Sequence, residues 1–260
     1  MRIIIEDGAE QAARRAAQLV EDLLRGGPAR VLALPTGATP LPMYERLVEA
    51  RRERGLDFSR ATIFGLDEYV GLAADDPHTM REQLRARLLD PVGLPAAQLH
   101  TLDGSAHDLG EACARYEAQI VQAGGLDLVV LGIGDDGHIG FNEPGSSLGS
   151  RTRLKTLTRE TQRANASSFA RPEDVPRLAL TIGVGTILEA RCCLLLATGE
   201  AKAAIVARAV EGPVTAQVTA SALQFHPDAH IVLDAAAAGR LERADYYREV
   251  EALQASLPGD

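Results

Sequence analysis

The sequence predicts an α/β fold with a doubly wound, mostly parallel sheet, and three observations carry that expectation. Short apolar runs alternate with amphipathic stretches of helical period along most of the 260 residues. The runs are almost continuously apolar, as in Leu126-Asp127-Leu128-Val129-Val130-Leu131, which marks strands covered on both faces. Several of the runs end in loops rich in Gly, Thr or acidic residues, where ligands sit in open α/β sheets.

The elements follow in order. Residues 3–5 form a first strand, and residues 9–25 carry apolar positions at helical spacing until Gly26-Gly27-Pro28 stops the helix. A strand at 31–34 leads through Pro35-Thr36-Gly37-Ala38-Thr39-Pro40 into a helix at 41–54. The next strand is 62–66, with helices at 79–89 and 108–122 and a buried strand at 126–131. Residues 145–176 are polar and basic with little periodicity, which predicts a lid or excursion over the site. Regular structure resumes with a strand at 194–197, a helix at 200–210 closed by Gly212-Pro213, and a last strand at 231–233. No repeat, low-complexity tract or linker divides the chain, so one domain over 1–260 is expected.

Composition narrows the class of function. At 46% apolar and 24% charged residues the chain is an ordinary globular protein and neither disordered nor fibrous. A net charge of −9 argues against a nucleic-acid or membrane-surface partner, because phosphate polymers demand a basic face. Residues 1–6 lack the apolar core of a secretory leader and no run reaches membrane-spanning length, so a cytoplasmic protein is expected. Three cysteines, two of them adjacent at Cys192 and Cys193, give neither a disulfide framework nor a metal-ligand spacing and read as buried thiols.

The chemistry concentrates in Gly134-Asp135-Asp136-Gly137-His138-Ile139-Gly140-Phe141-Asn142-Glu143-Pro144. Glycines at 132, 134, 137 and 140 allow positive φ and sharp bends, so Asp136, His138 and Glu143 can converge. A carboxylate beside a histidine fixes its tautomer, and the trio reads as a hydrogen-bond network, a metal site or a proton relay, with the relay preferred and no metal expected. The remaining histidines, 78, 100, 107, 226 and 230, are scattered and read as surface or packing residues. Asp67-Glu68, directly after a strand, offers a second acid. Thr36, Gly37, Ala38 and Thr39, between a strand and a helix, offer N–H groups and hydroxyls to an anion. Thr198-Gly199-Glu200-Ala201-Lys202 repeats that arrangement, with Lys202 in the first turn of a helix, where a cation opposes the dipole unless it faces an anion. Downstream, Arg151, Arg153 and Lys155 would point the same way along an extended segment and suit a second anionic ligand.

Taken together, the 34–40, 67–72, 134–144 and 150–158 segments resemble the glucosamine-6-phosphate deaminases, and the similarity runs nearly end to end. That resemblance implies a Rossmann-like fold shared with ribose-5-phosphate isomerase and 6-phosphogluconolactonase. It also implies conversion of glucosamine 6-phosphate and water to fructose 6-phosphate and ammonia, with no cofactor. His138, oriented by Asp136 and Glu143, would open the sugar ring. Asp67 would move the C2 proton, and Thr36 to Thr39 with Lys202 would hold the phosphate. Relatives of this kind carry an arginine where this chain has Ser167, which leaves Arg163 or Arg171 to replace it. Ser146, Arg153, Lys155, Thr156 and Tyr246 match an allosteric site for N-acetylglucosamine 6-phosphate at a subunit interface, which implies a homo-oligomer, with a hexamer among the options. Galactosamine-6-phosphate deaminase, 6-phosphogluconolactonase and a non-catalytic sugar-phosphate sensor are the alternatives.

Overall fold

In the computed structural model, which describes residues 1–27 and 29–256, the strand and helix alternation is realised in order. Pro28, the last residue of the expected helix stop, lies outside the described residues; Gly26 ends the helix, its N–H donating to the Asp22 carbonyl at 2.9 Å. The chain opens with β1 (Arg2–Glu6), α1 (Ala9–Arg25), β2 (Arg30–Leu34), α2 (Leu41–Arg54), β3 (Ala61–Gly65) and β4 (Asp67–Tyr69). Next come α3 (Met80–Leu84), a π-helical turn at Arg85–Leu89, α4 (Asp90–Val92), β5 (Leu99–His100), α5 (Leu109–Gln122) and β6 (Leu128–Leu131). β7 (Arg153–Thr156), α6 (Arg159–Asn165), β8 (Leu178–Thr181), α7 (Val184–Leu188) and β9 (Cys192–Ala197) follow. α8 (Ala203–Val210), β10 (Ala229–Asp234) and α9 (Ala244–Ser256) complete it.

Seven strands form one parallel sheet in the order β1-β10-β9-β6-β2-β3-β5. Within β2 the period-2 rule sends Val31 and Ala33 to one face and Leu32 and Leu34 to the other. On the first face they meet Tyr116 and Ile120 of α5 and Val206 of α8; on the second, Ala16 and Val20 of α1 and Tyr44 and Leu47 of α2. Burying each such Leu, Ile or Val on both faces contributes about 1.5–3 kcal/mol, which explains why the runs carry almost no polar residues.

Two expectations need correction. Asp67 and Glu68 do not merely follow a strand: they begin β4, the edge of a second, antiparallel sheet in the order β4-β8-β7. β7 and α6 both fall in the segment 145–176 that lacks visible periodicity. In β7 the cause is its length: four residues in an exposed sheet show no more than Leu154 and Thr156 outward and Arg153 and Lys155 half-buried. The small sheet closes over its own core of Tyr69, Met80, Phe141, Leu157 and Ala179. β8, which pairs with both neighbours, was not anticipated, nor was the short edge strand β5.

Candidate active site

The carboxyl ends of β2, β3 and β6 converge on a cleft of about 260 Å³. All six residues of the 35–40 loop line it, as do Asp67, the glycine-rich turn, His138 and Lys202. Tyr44 on α2 fixes the 35–40 loop by donating its hydroxyl to the Pro35 carbonyl at 2.6 Å. Gly37, at φ +94°, makes the bend that a side chain would strain.

The glycines of the 134–144 turn do different jobs. Gly137 (φ +93°) and Gly140 (φ +54°) are left-handed, as expected, whereas Gly132 and Gly134 are not. At Gly134 the requirement is room: a Cβ there would run into the His138 ring. The imidazole therefore lies against bare backbone. Its Nδ1 is 2.7 Å from Asp136 Oδ1 and 3.5 Å from Glu143 Oε2, and the Asp136 carboxylate also accepts from the His138 N–H at 3.1 Å. Burial raises the Asp136 pKa, but the hydrogen bonds and charge of His138, with Glu143, outweigh it and leave the carboxyl at about 2. An ionised Asp136 keeps the proton on Nδ1 and leaves Nε2 as the basic atom. Glu143 is buried and held in turn by the Thr158 N–H at 3.1 Å and the Thr158 hydroxyl at 3.4 Å. The three side chains also bring their ligand atoms within 4.8 Å of one another, a spacing compatible with a metal ion.

The two acids of β4 differ sharply. Glu68 accepts from the backbone N–H groups of Tyr69, Met80 and Arg81 at 2.9–3.0 Å and so serves the start of α3. Asp67 is only 7% exposed and lines the cleft, and its carboxylate has no hydrogen bond or ion pair among the described residues. Burial and the neighbouring Glu68 push its carboxyl up to about 7, against a smaller opposing effect of His138. A carboxylate that gives up its proton near neutrality, with no partner to satisfy it, is suited to general-base work.

At the anion end, Lys202 donates to Asp135 Oδ1 at 2.5 Å and to the Ile133 carbonyl at 2.8 Å. It does not stand in an α-helical first turn as expected; a 3₁₀ turn at Glu200–Lys202 precedes α8. The 198–202 loop is also no second N–H cradle, since the Gly199 N–H is spent on the Asp234 carboxylate at 3.0 Å. Neither Arg163 nor Arg171 lines the cleft, and Ser167 does not either; Arg171 is exposed and paired with Asp174 at 2.6 Å. Lys202 is thus the one Lys or Arg among the cleft-lining residues. Sequence reasoning missed Asp135 as its partner and α6 as a wall that contributes Glu160, Thr161 and Asn165. The signal for α6 was present in Thr158, whose hydroxyl caps the helix by accepting from the Thr161 N–H at 3.2 Å.

The basic cluster divides. Arg151 does not join Arg153 and Lys155, because Glu117 and Glu189 each hold it at 2.6 Å. Arg153 and Lys155 share one side of β7 with no carboxylate of the described residues in ion-pair reach, and Arg153 donates to Asn142 Oδ1 at 2.9 Å. Burial lowers the pKa of both. Ser146 lies nearby in sequence with a buried hydroxyl that has no partner among the described residues, while Thr156 faces outward from β7. Tyr246 is on α9, which packs against β1 at the edge of the large sheet, and its ring is 57% exposed. Of the other histidines, His78 stacks on Phe169 and His100 on Phe64, His226 is buried against the Ala190 carbonyl, and His107 is exposed.

Known proteins resemble this chain in sequence and in fold. A glucosamine-6-phosphate deaminase of Arthrobacter sp. (strain FB24) is 50% identical over 248 residues, 95% of each chain. One of Streptomyces avermitilis is 49% identical over 253 residues, 97% of each. A solved monomeric glucosamine-6-phosphate deaminase superposes with a TM-score of 0.90 at 37% identity, covering 92% of this chain and 100% of that one. The 6-phosphogluconolactonase of Trypanosoma cruzi shares the fold, with a TM-score of 0.74 at 20% identity over 93% of this chain and 97% of its own. The family model for glucosamine-6-phosphate isomerases and 6-phosphogluconolactonase matches residues 5–232, and the chain belongs to that family.

Proposed function

We propose that this chain is a glucosamine-6-phosphate deaminase, converting glucosamine 6-phosphate and water to fructose 6-phosphate and ammonia. The observation that carries the reading is the buried Asp67 carboxylate in the same cleft as His138, neither it nor His138 Nε2 having a hydrogen-bond partner among the described residues. His138 Nε2 takes the anomeric hydroxyl proton and returns it to the ring oxygen, opening the ring. Asp67 then removes the C2 proton while O1 takes a proton from the substrate's own C2 ammonium group, giving an enolamine; Asp67 returns its proton to C1, water adds to the resulting C2 imine, and ammonia leaves. Lactone hydrolysis needs no such base, which separates this reading from the lactonase reading. The substrate phosphate binds the Thr36, Gly37, Ala38 and Thr39 loop and Lys202, and the enzyme works in the cytoplasm; among the described residues no helix is long and apolar enough to cross a membrane. Ammonia release from glucosamine 6-phosphate, faster than from the galactosamine epimer and with no lactonase activity, is the expected result; faster lactone hydrolysis would overturn it.

Asp67 must be ionised to act, so kcat/KM on the acid side is expected to rise about tenfold per pH unit and level off near pH 7. A level profile between pH 5 and 7, measured at about 0.15 M salt, would remove Asp67 from the role. Phosphate must also displace Asp135 from Lys202. A pair of this kind, with Asp135 on the surface, contributes about 0.2–1 kcal/mol, so Asp135→Asn is expected to lower KM about 1.4- to 5-fold with kcat little changed. A raised KM would show instead that Asp135 helps to place the lysine.

The second site is an allosteric one for N-acetylglucosamine 6-phosphate, built on Ser146, Arg153, Lys155 and Thr156, in a homo-oligomer whose neighbouring copy brings Tyr246. Two unpaired cations and an unpartnered buried hydroxyl support it. So does the Arg153–Asn142 bond, which reaches the residue before Glu143. Activation by the acetylated sugar, lost in Arg153→Ala, is the expected outcome; hyperbolic kinetics indifferent to that ligand, together with a monomer by light scattering, would dispose of the regulatory claim.

A further inference from the structure

We propose that Cys192, Asp228 and His230 form a binding site for a borderline-soft divalent cation of the zinc class. The site lies at the amino ends of β9 and β10, the edge of the large sheet opposite the cleft. It is independent of the deaminase reading.

The sheet register builds it. Ala229 pairs with Cys193 and His230 with Leu194, so Asp228 stands beside Cys192. Cys192 packs with Leu194 and Val232 on one face of the sheet, while Cys193, one residue on, points to the other face. His230 has the parity of Val232 and shares the face of Cys192. The thiol, a carboxylate oxygen and an imidazole nitrogen all lie within 4.8 Å of one another. Ligand bonds of about 2.0–2.3 Å bring the donors of one zinc ion to roughly 3–4 Å apart, so side-chain rotation suffices to close the site. The backbone positions, set by two parallel ladders, need not move.

The donor set fits the ion. Thiolate, imidazole and carboxylate are the three ligand types that zinc accepts, and three protein ligands leave a fourth position for water. His230 Nε2 is 2.8 Å from Asp228 Oδ1, while its Nδ1 is buried and without a partner among the described residues. No bond at Nδ1 therefore anchors the ring against the small rotation that binding requires. The Asp228 side chain is 57% exposed and gives the ion an approach from solvent. Arg2 is the nearby cation, and Glu251 occupies it through two hydrogen bonds of 2.6 and 2.7 Å.

A reactive-thiol role fits less well. Burial, with the Asp228 carboxylate, pushes the Cys192 thiol up to about 12, so it is protonated and a poor nucleophile at neutral pH. A bound dication reverses that balance: the S–H proton passes to solvent as the sulfur–metal bond forms, and no atom changes oxidation state. The cleft trio Asp136, His138 and Glu143 also has metal-compatible spacing but lacks sulfur.

Cobalt(II) distinguishes the two. Titration of the full chain with about one equivalent of cobalt(II) should produce an intense sulfur-to-cobalt charge-transfer absorption, displaced by zinc. The band should persist in His138→Ala, vanish in Cys192→Ser and weaken at least tenfold in apparent affinity in His230→Ala and in Asp228→Ala. The latter changes a half-exposed residue outside the strands and guards against misfolding as the explanation. No band in the wild type, a band that survives Cys192→Ser, or one lost with His138→Ala would overturn the proposal.

Discussion

Asp67→Asn should lower kcat by about 10²- to 10⁴-fold, the contribution of one positioned acid/base group, while substrate still binds. The same change should make the protein more stable. Asp67 is buried without a partner, and its folded pKa of about 7 lies above the ordinary value of 3.8. The folded state therefore prefers the protonated acid, and the wild type loses stability as pH rises from about 4 to about 7, where an Asn loses none. Three pKa units set an upper bound of about 4 kcal/mol, reduced because the Asn amide must also find partners. Thermal unfolding at about pH 8 should show Asn higher by several degrees, and the advantage should be gone at about pH 4. An Asn variant that is inactive but no more stable at pH 8 would show that Asp67 is not the uncompensated buried charge described here.

Gly134→Ala should be nearly as damaging, although residue 134 carries no functional group. Its Cβ would occupy the space of the His138 ring, and the ring can yield only by turning away from Asp136. With Nδ1 detached, the tautomer is no longer fixed and Nε2 is no longer aimed. Ring opening should fall by about 10² or more, at the low end of what positioned acid/base catalysis supplies. The loss should fall on kcat with KM little changed, and a variant whose loss lies in KM would place the damage elsewhere. The backbone at Gly134 is not in the left-handed region, so little loss of stability should accompany the change.

How much of this was legible depended on residue type and on range. Six strands of the seven-stranded sheet were readable because each carries a nearly continuous apolar run, as Val31 to Leu34 show, whereas β5, only Leu99–His100, is too short to make a pattern. The three-stranded sheet was not, because β4 and β7 are three and four residues long and carry Asp67, Glu68, Arg153 and Lys155 at positions that serve a site rather than a core. His138 and Asp136 were readable because they are two residues apart. The Lys202–Asp135 bond joins residues 67 apart, and the pairing of Arg151 with Glu117 spans 34, so no local pattern announces either. The likeness of Asp67 and Glu68 in sequence concealed opposite fates. Three backbone N–H groups claim one carboxylate and none claims the other, and only the fold decides which.

β8 pairs on one side with Asp67 and on the other with Arg153, and Thr181 is the register partner of both. Side-chain direction alternates at every residue of a strand, so adding or deleting one residue within β7 or β8 would turn a functional side chain to the wrong face. Residues 157–177 hang between those two strands and reach the cleft through α6 alone. For engineering, the molecule is thus a fixed chassis with one exchangeable cover. Transplanting residues 159–177 from a relative, so that Leu157 in the small core and Thr158 on Glu143 are kept, should alter which phosphosugars are admitted while leaving the proton-transfer groups where they stand.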